Sequence, residues 1–519
     1  MAAIRDDHRT RRRPAGKPGS PGGVAWVAAI CLAVLSGCDV GPPYDKPAVS
    51  APAAFKEVSP AAYSGAPPGA WQPAQPQDAL LKGKWWEMFN EPELEALEGR
   101  LNIDNQNIAQ FFQNFMAARA QVNEARAGYF PTVTVNPTYT RTRTGAAASS
   151  GTAGGSSSGG SHYSTSTALP LEAAWEPDLW GRIRNTVREF QYAAQVSAAD
   201  LENERLLEQA ALASYYFELR GQDALQELYD RTIEADRKAL ELTRALAETG
   251  IDNQLSVAQA EVTLRNAEAT AIGIATNRAL YEHAIATLIG AAASDFSMPV
   301  KRLETPVPEI PVAVPSQMLE RRPDVAAAER TMAQANALIG VEMAAFYPTV
   351  SLTASGGLQA ASLARLFSAP ALFWSVGASA AETIFDGGLR TATVAQYTAT
   401  YRADVAAYKQ TVLTAFQQVE DYLATLRVLS AQIVAQDEAI RAAQRYLGLA
   451  LAQYQTGLDP YLDVITAQTT LLTDQQALVT LRVNEMMAAV QLIQSLGGGW
   501  DVKQLPAPSQ VTLEDGSRE

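Results

Sequence analysis

Two short motifs occur twice in this chain of 519 residues, in the same order and at nearly the same spacing. Tyr129-Phe130-Pro131-Thr132-Val133 returns 217 residues later as Phe346-Tyr347-Pro348-Thr349-Val350. Thr249-Gly250-Ile251-Asp252, with Leu255, Val257, Ala260, Thr263 and Leu264 behind it, returns 207 residues later. The second set is Thr456-Gly457-Leu458-Asp459 with Leu462, Val464, Ala467, Thr470 and Leu471. Such a chain is two copies of one supersecondary plan. The mismatch between the offsets is placed most economically in residues 145–161, a run of Gly, Ala, Ser and Thr without a counterpart of that length in the second half.

Proline sorts just as sharply. None falls in 93–130, 178–298, 324–347, 371–459 or 461–505. A proline inside a helix costs about 3 kcal/mol, so these windows are where long helices are allowed. In the clearest of them Tyr401, Val405, Tyr408, Val412, Phe416, Val419, Leu423 and Leu426, then Ile433, Ile440, Leu447, Leu451 and Tyr454, recur at three, four and seven, a coiled-coil seam. Helices are predicted over 182–248 and 389–455, each about 100 Å long at 1.5 Å per residue. Shorter return helices are predicted over 253–290 and 460–496, and helices of about 104–128 and 323–345 before the strands could stack end-on to complete the shorter partners.

Pro131 and Pro348 end the preceding helices and open strands. Four stretches of about ten residues rich in Thr, Val, Ala and aromatics follow, around Val133 to Tyr139, Thr165 to Trp175, Val350 to Ser355 and Phe373 to Ile384. That is the length of a membrane-spanning strand. Four strands cannot close on themselves, so a membrane-crossing unit has to be an oligomer.

The amino end fixes the compartment. Arg5, Arg9, Arg11, Arg12, Arg13 and Lys17 precede an uncharged apolar run from Val24 to Leu35, too short to span a bilayer and shaped like a secretory signal. It ends in Leu35-Ser36-Gly37-Cys38, which looks like a bacterial lipobox, so residues 1–37 are expected to leave, taking Cys31, and Cys38 to receive acyl chains such as palmitate. The formal charge is −14, and it becomes −18 once 1–37, with six basic and two acidic residues, are gone. Nucleic acid is a poor partner for such a chain. Only His162 and His283 remain, with no free thiol, which leaves little for a metal site or a Cys or His nucleophile, and no cofactor is expected. The domains read as a Pro-rich extended arm over 38–82, a first repeat over 83–300 whose hairpin covers about 131–176, a second repeat over 301–500 whose hairpin covers about 348–385, and a tail over 501–519.

Together these features resemble a known family. The lipobox leading into Val40-Gly41-Pro42, Trp85-Trp86 with Phe89 and Pro92 to Leu94, and Trp175-Glu176-Pro177-Asp178-Leu179-Trp180-Gly181-Arg182 belong to the resemblance. So do Arg321-Arg322-Pro323-Asp324, Phe346-Tyr347-Pro348, Phe385-Asp386-Gly387-Gly388 and Thr456-Gly457 to Ala467-Gln468. In this order they are similar to the TolC-like outer-membrane factors, in particular the lipoprotein exit ducts of resistance-nodulation-division efflux pumps. The resemblance implies an α+β membrane protein. Three chains would give a 12-stranded β-barrel in the outer membrane, four strands from each, continuous with a long periplasmic α-helical barrel. It also implies a passive duct and not an enzyme, joined to a periplasmic adaptor and an inner-membrane pump and held by outer-membrane lipid through Cys38. Asp39, next to the lipid cysteine, resembles a retention signal of enteric bacteria, yet a chain with barrel strands cannot function in the inner membrane, so the outer membrane is expected.

The periplasmic gate is expected at the helix turns. Gly250 and Gly457 suit the left-handed position that ends a helix, and Asp252 and Asp459 suit caps of the helices that follow. In the family a leucine and, one turn later, an aspartate narrow the tunnel. Here Leu462 matches while the aspartate's place is Thr466, which leaves Asp463 or Asp459 as the acid that three copies would gather into a ring. Trp175, Trp180, Phe373, Trp374 and Phe385 read as interface aromatics, Arg321-Arg322-Pro323 as a helix start and Gly387-Gly388 as a turn. The alternative to a duct is a lipid-anchored periplasmic adaptor or coiled-coil scaffold, which would account for the helices and leave the strands unexplained.

Overall fold

A computed structural model describes residues 39–52, 55–57, 83–144, 162–303, 305–308, 310 and 320–512. The signal segment with Leu35, Ser36, Gly37 and Cys38, the arm over 58–82 and the 145–161 loop lie outside the described residues. The helices are α1 (Pro92–Asp104), α2 (Gln106–Ala127), α3 (Arg182–Glu248), α4 (Gln254–Leu288), α5 (Pro323–Ala344), α6 (Leu389–Gln455) and α7 (Tyr461–Ser495). The strands are β1 (Thr132–Val135), β2 (Thr138–Thr144), β3 (His162–Trp175), β4 (Thr349–Ala360) and β5 (Leu372–Ala381). The chain divides into two compact units, one holding residues up to Pro42, Gly128–Asn185 and Gly340–Ala392, the other Pro43–Ala127, Thr186–Ile339 and Thr393–Glu519.

The first unit is an antiparallel sheet. β1 and β2 both pair with β3, β3 pairs with β4 and β4 with β5. There are thus four strand positions, and the first is split at Asn136-Pro137, where proline has no N–H to give the ladder. Both copies of the aromatic-proline motif accept an indole hydrogen bond. Trp175 Nε1 donates to the Tyr129 carbonyl at 3.0 Å, and Trp180 Nε1 to the Pro348 carbonyl at 2.8 Å. The Trp180 ring also stacks on Tyr347 with centroids 4.9 Å apart. At the amino end, Asn185 Nδ2 donates to Asp39 at 2.9 Å, so this carboxylate is engaged by the fold.

The second unit is helical. The α6 seam is buried as its spacing requires, with Tyr408, Val412, Phe416 and Val419 packed against Val325 and Met332 of α5 and Leu492 of α7. Phe55 of the arm packs into the same core, and Tyr44 OH donates to Glu329 at 2.5 Å, so these described parts of the arm lie against helices. A short 3₁₀ helix, Trp85–Phe89, and α1 bring Trp85, Phe89, Leu94 and Leu101 against Tyr216, Phe217 and Leu219 of α3. Each such fully buried side chain contributes roughly 1.5–3 kcal/mol. α1 opens on Pro92 at its first position and fills the start of the proline-free window 93–130, ahead of the helix expected over about 104–128.

Candidate functional site

The sheet has two chemically distinct faces, which follow from the alternation of side chains along each strand and from the register. Val133 pairs with Ala173, Val135 with Leu171, Trp175 with Leu352, Ala354 with Val376 and Leu358 with Leu372. All of these share one face. The other carries Thr132, Thr134, Ser351, Thr353, Ser355, Ser375 and Ser379, with Glu172 among them, and Ser355 and Ser375 share a hydrogen bond of 2.8 Å. On the apolar face Val376 is 75% exposed and Trp374 77% exposed, so no described residue covers it there. A sheet with one bare apolar face and one hydroxyl-lined face is the wall of a membrane barrel. Its two edges, β1 with β2 and β5, have no partner strand among the described residues.

The register also sorts the interface aromatics. Trp175 and Trp374 lie on the apolar face and Phe385 is exposed beyond β5, whereas Phe373 pairs with Gly357 on the hydroxyl face. Trp180 is in no strand and is held by its own hydrogen bond. Strand register, which composition does not carry, thus separates five aromatics that are alike in sequence.

Both turn glycines adopt left-handed backbone. Gly250 has φ 77° and Gly457 has φ 74°. In each copy the next N–H reaches back to the fifth residue before it, Ile251 to the Leu246 carbonyl at 3.0 Å and Leu458 to the Gln453 carbonyl at 3.0 Å, while the glycine N–H closes the inner bond.

The aspartates do not cap. Asn253 caps α4, its side chain accepting from Leu255 N at 2.9 Å and Ser256 N at 3.2 Å. α7 starts at Tyr461 behind Pro460, which occupies the cap position without a side-chain hydrogen bond, and Asp459 is half-buried beside it. The reason is geometric: once the glycine motif closes, helical φ/ψ resumes one residue further on than the sequence suggested. Asp252 instead receives the Tyr454 hydroxyl at 2.5 Å, the Ser256 hydroxyl at 2.8 Å and the Asn253 N–H at 2.7 Å. Burial opposes its charge, but these hydrogen bonds outweigh burial and hold the carboxyl below its ordinary range. Burial, then the Asp252 hydrogen bond, pushes the Tyr454 phenol up. The turn of the first repeat is thereby tied to the long helix of the second. The tie has no counterpart in the other copy, where the position matching Tyr454 is Ala247.

Leu462 is 56% exposed, Asp463 is half-buried in the first turn of α7, and exposed Thr466 donates its hydroxyl to the Leu462 carbonyl at 2.8 Å. Behind them Tyr229, Ile233, Leu264, Tyr454, Tyr461 and Val464 form the tip core, where Tyr454 and Tyr461 meet at 5.1 Å. Asp236 of α3 is only 4% exposed, and burial lifts its carboxyl to about 6. A folded-state pKa raised above the unfolded value of about 3.9 gives stability that is complete below pH 4 and lost as pH rises toward 6. Asp236→Asn is therefore expected to stabilise the protein by about 2 kcal/mol at pH 7.5 and by nothing at pH 4, allowing for partial solvent screening. Denaturant unfolding at both pH values checks this, and an equal gain at both would contradict it.

Of the remaining residues singled out, Arg322 is paired with Asp324 at 2.6 Å and also reaches Gln418 and the Ser495 carbonyl. His283 is exposed on α4, and the His162 backbone opens β3.

Comparison with known proteins agrees with this geometry. The model of the outer membrane efflux protein family matches residues 99–291 and 314–498, one segment in each repeat. The chain belongs to that family. It is 30% identical over 489 residues to the antibiotic efflux pump outer membrane protein ArpC of Pseudomonas putida, covering 94% of this chain and 98% of that protein. The figures are the same for the toluene efflux pump outer membrane protein TtgC of Pseudomonas putida. The structure of the outer-membrane channel OprN superposes with a TM-score of 0.80 at 26% identity, covering 89% of this chain and all of OprN. The protein is accordingly an outer-membrane efflux channel component with a large periplasmic helical portion, built on the TolC-like two-repeat plan.

Proposed function

We propose that three copies of the chain close their sheets edge to edge into a 12-stranded pore and act as the passive exit duct of a tripartite efflux system. The two-faced sheet with four strand positions and two unpartnered edges is the observation that carries this reading. Three sheets joined in a ring leave no edge and turn the hydroxyl face inward. Energy comes from an inner-membrane pump coupled through a periplasmic adaptor at the helical tip, and the protein itself catalyses nothing. ArpC and TtgC carry antibiotics and toluene in their names, which supports drugs and small apolar toxicants as the cargo. Cleavage after Gly37 and acylation of Cys38 anchor the duct to the outer membrane. Purified protein should migrate as a trimer that collapses on heating and should give ion conductance in planar bilayers. A lipid-anchored adaptor or scaffold would give no conductance.

The tip holds the closed state through the Asp252 and Tyr454 pair, with Gly250 and Gly457 setting the turns and Leu462, Asp463, Asp459 and Thr466 around the constriction. A hydrogen bond to a charged group contributes about 1.5–3 kcal/mol, enough to move an open-to-closed ratio about ten- to hundred-fold. Asp252→Ala and Tyr454→Phe should each raise conductance strongly, and the double variant should add little to either. Unchanged conductance in both single variants would remove the pair from the gate.

A further inference from the structure

We infer that Arg141 and Arg143 form a binding site for the phosphate of an outer-leaflet lipid headgroup. The two residues alternate along β2, so both project from one face of the sheet. Their register partners are Thr165 and Tyr163, and their guanidinium carbons lie 5.3 and 5.6 Å from the centre of the Tyr163 ring. This is the apolar face, shared with Leu169, Leu171 and Trp175 of β3. Among the described strand residues it bears no acidic side chain, because Glu172 points the other way.

Height along the strand places the pair. Tyr163 and Trp175 lie at opposite ends of β3, twelve residues apart. That is about 40 Å along a strand and about 30 Å across the membrane at a tilt of about 40°. An apolar band is about 25 Å tall and is edged by aromatic girdles. Trp175 and Tyr163 fit the two girdles, and the arginines begin where hydrocarbon ends. The chain leaves the Trp175 end for α3, part of the periplasmic portion, so the Tyr163 end is the outer one. A planar guanidinium donates two parallel hydrogen bonds to a phosphate, and stacking on Tyr163 keeps both forks oriented.

The inference rests on the reading that the apolar face meets lipid. Its test titrates the purified full-length trimer in detergent with lipid A bearing both phosphates, with dephosphorylated lipid A and with phosphatidylcholine, counting bound lipids by native mass spectrometry. Lipid A carrying phosphate should be retained at least about tenfold more tightly than the other two, the size of one charge-assisted contact. The Arg141→Gln, Arg143→Gln pair should lose that preference, and Arg141→Lys with Arg143→Lys should keep part of it. Equal binding of both forms of lipid A by the wild type overturns the site without reference to any variant. Displacement by inorganic phosphate at the same concentration would mark a free-anion site and overturn the lipid assignment. Conductance of the same samples separates the two readings: loss of the lipid preference with conductance intact strikes only the headgroup site, and absence of conductance strikes the duct.

Discussion

Val376→Arg is expected to abolish assembly in the outer membrane, whereas Ser375→Arg, one residue away, is expected to assemble and alter the pore. Val376 lies mid-strand in β5 on the apolar face, opposite Ala354, while Ser375 faces Ser355 on the hydroxyl side. An arginine turned to hydrocarbon at that depth costs about 2–4 kcal/mol per strand, hence about 6–12 kcal/mol in a trimer. That is comparable with the whole stability of many domains. Three arginines on the hydroxyl face are instead solvated in the pore, and their charge should lower cation conductance. Heat-sensitive trimer bands from outer membranes and single-channel recordings check both outcomes. Trimers from Val376→Arg with none from Ser375→Arg would reverse the faces and end this account of the sheet.

Asp223→Ala is expected to destabilise the helical unit by about 3–5 kcal/mol, the usual cost of stripping one partner from a buried ion pair. Asp223 is the hub of a buried cluster: it accepts from Arg220 Nη1 at 2.8 Å, from Arg278 Nε at 2.7 Å and from the Lys301 N–H at 3.1 Å. Arg220 is 1% exposed and donates as well to Glu93 at 2.6 Å and to the Pro299 carbonyl at 2.7 Å. Arg278 reaches the Met298 carbonyl at 2.7 Å. The cluster therefore joins α1 and α3 to the end of α4 and pins the connector that enters the second repeat. Replacing the Arg220 and Asp223 pair by Met and Leu should cost far less than the sum of the single changes, since no buried charge of that pair is then stranded. Denaturant unfolding measures both, and a loss under about 1 kcal/mol in Asp223→Ala would show the pair to be solvated.

Part of this protein is written in local patterns. The two motif copies, the proline-free windows and the heptad of 401–454 depend on neighbours within a few residues, so they can be read without any fold, and α3 and α6 occupy two of those windows. The strands show in the same way, through Thr, Val and aromatic stretches behind Pro131 and Pro348. Relations between distant residues are not local and were settled by tertiary structure alone. Strand register placed Phe373 with the hydroxyls and Trp374 with the apolar side chains, and the packing of the two repeats brought Tyr454 to Asp252. The physical reason is one of range: backbone propensity and side-chain period act over one or two turns, whereas a carboxylate finds its hydroxyl, and a strand its partner, only after the chain has brought together residues that lie from tens to about two hundred positions apart.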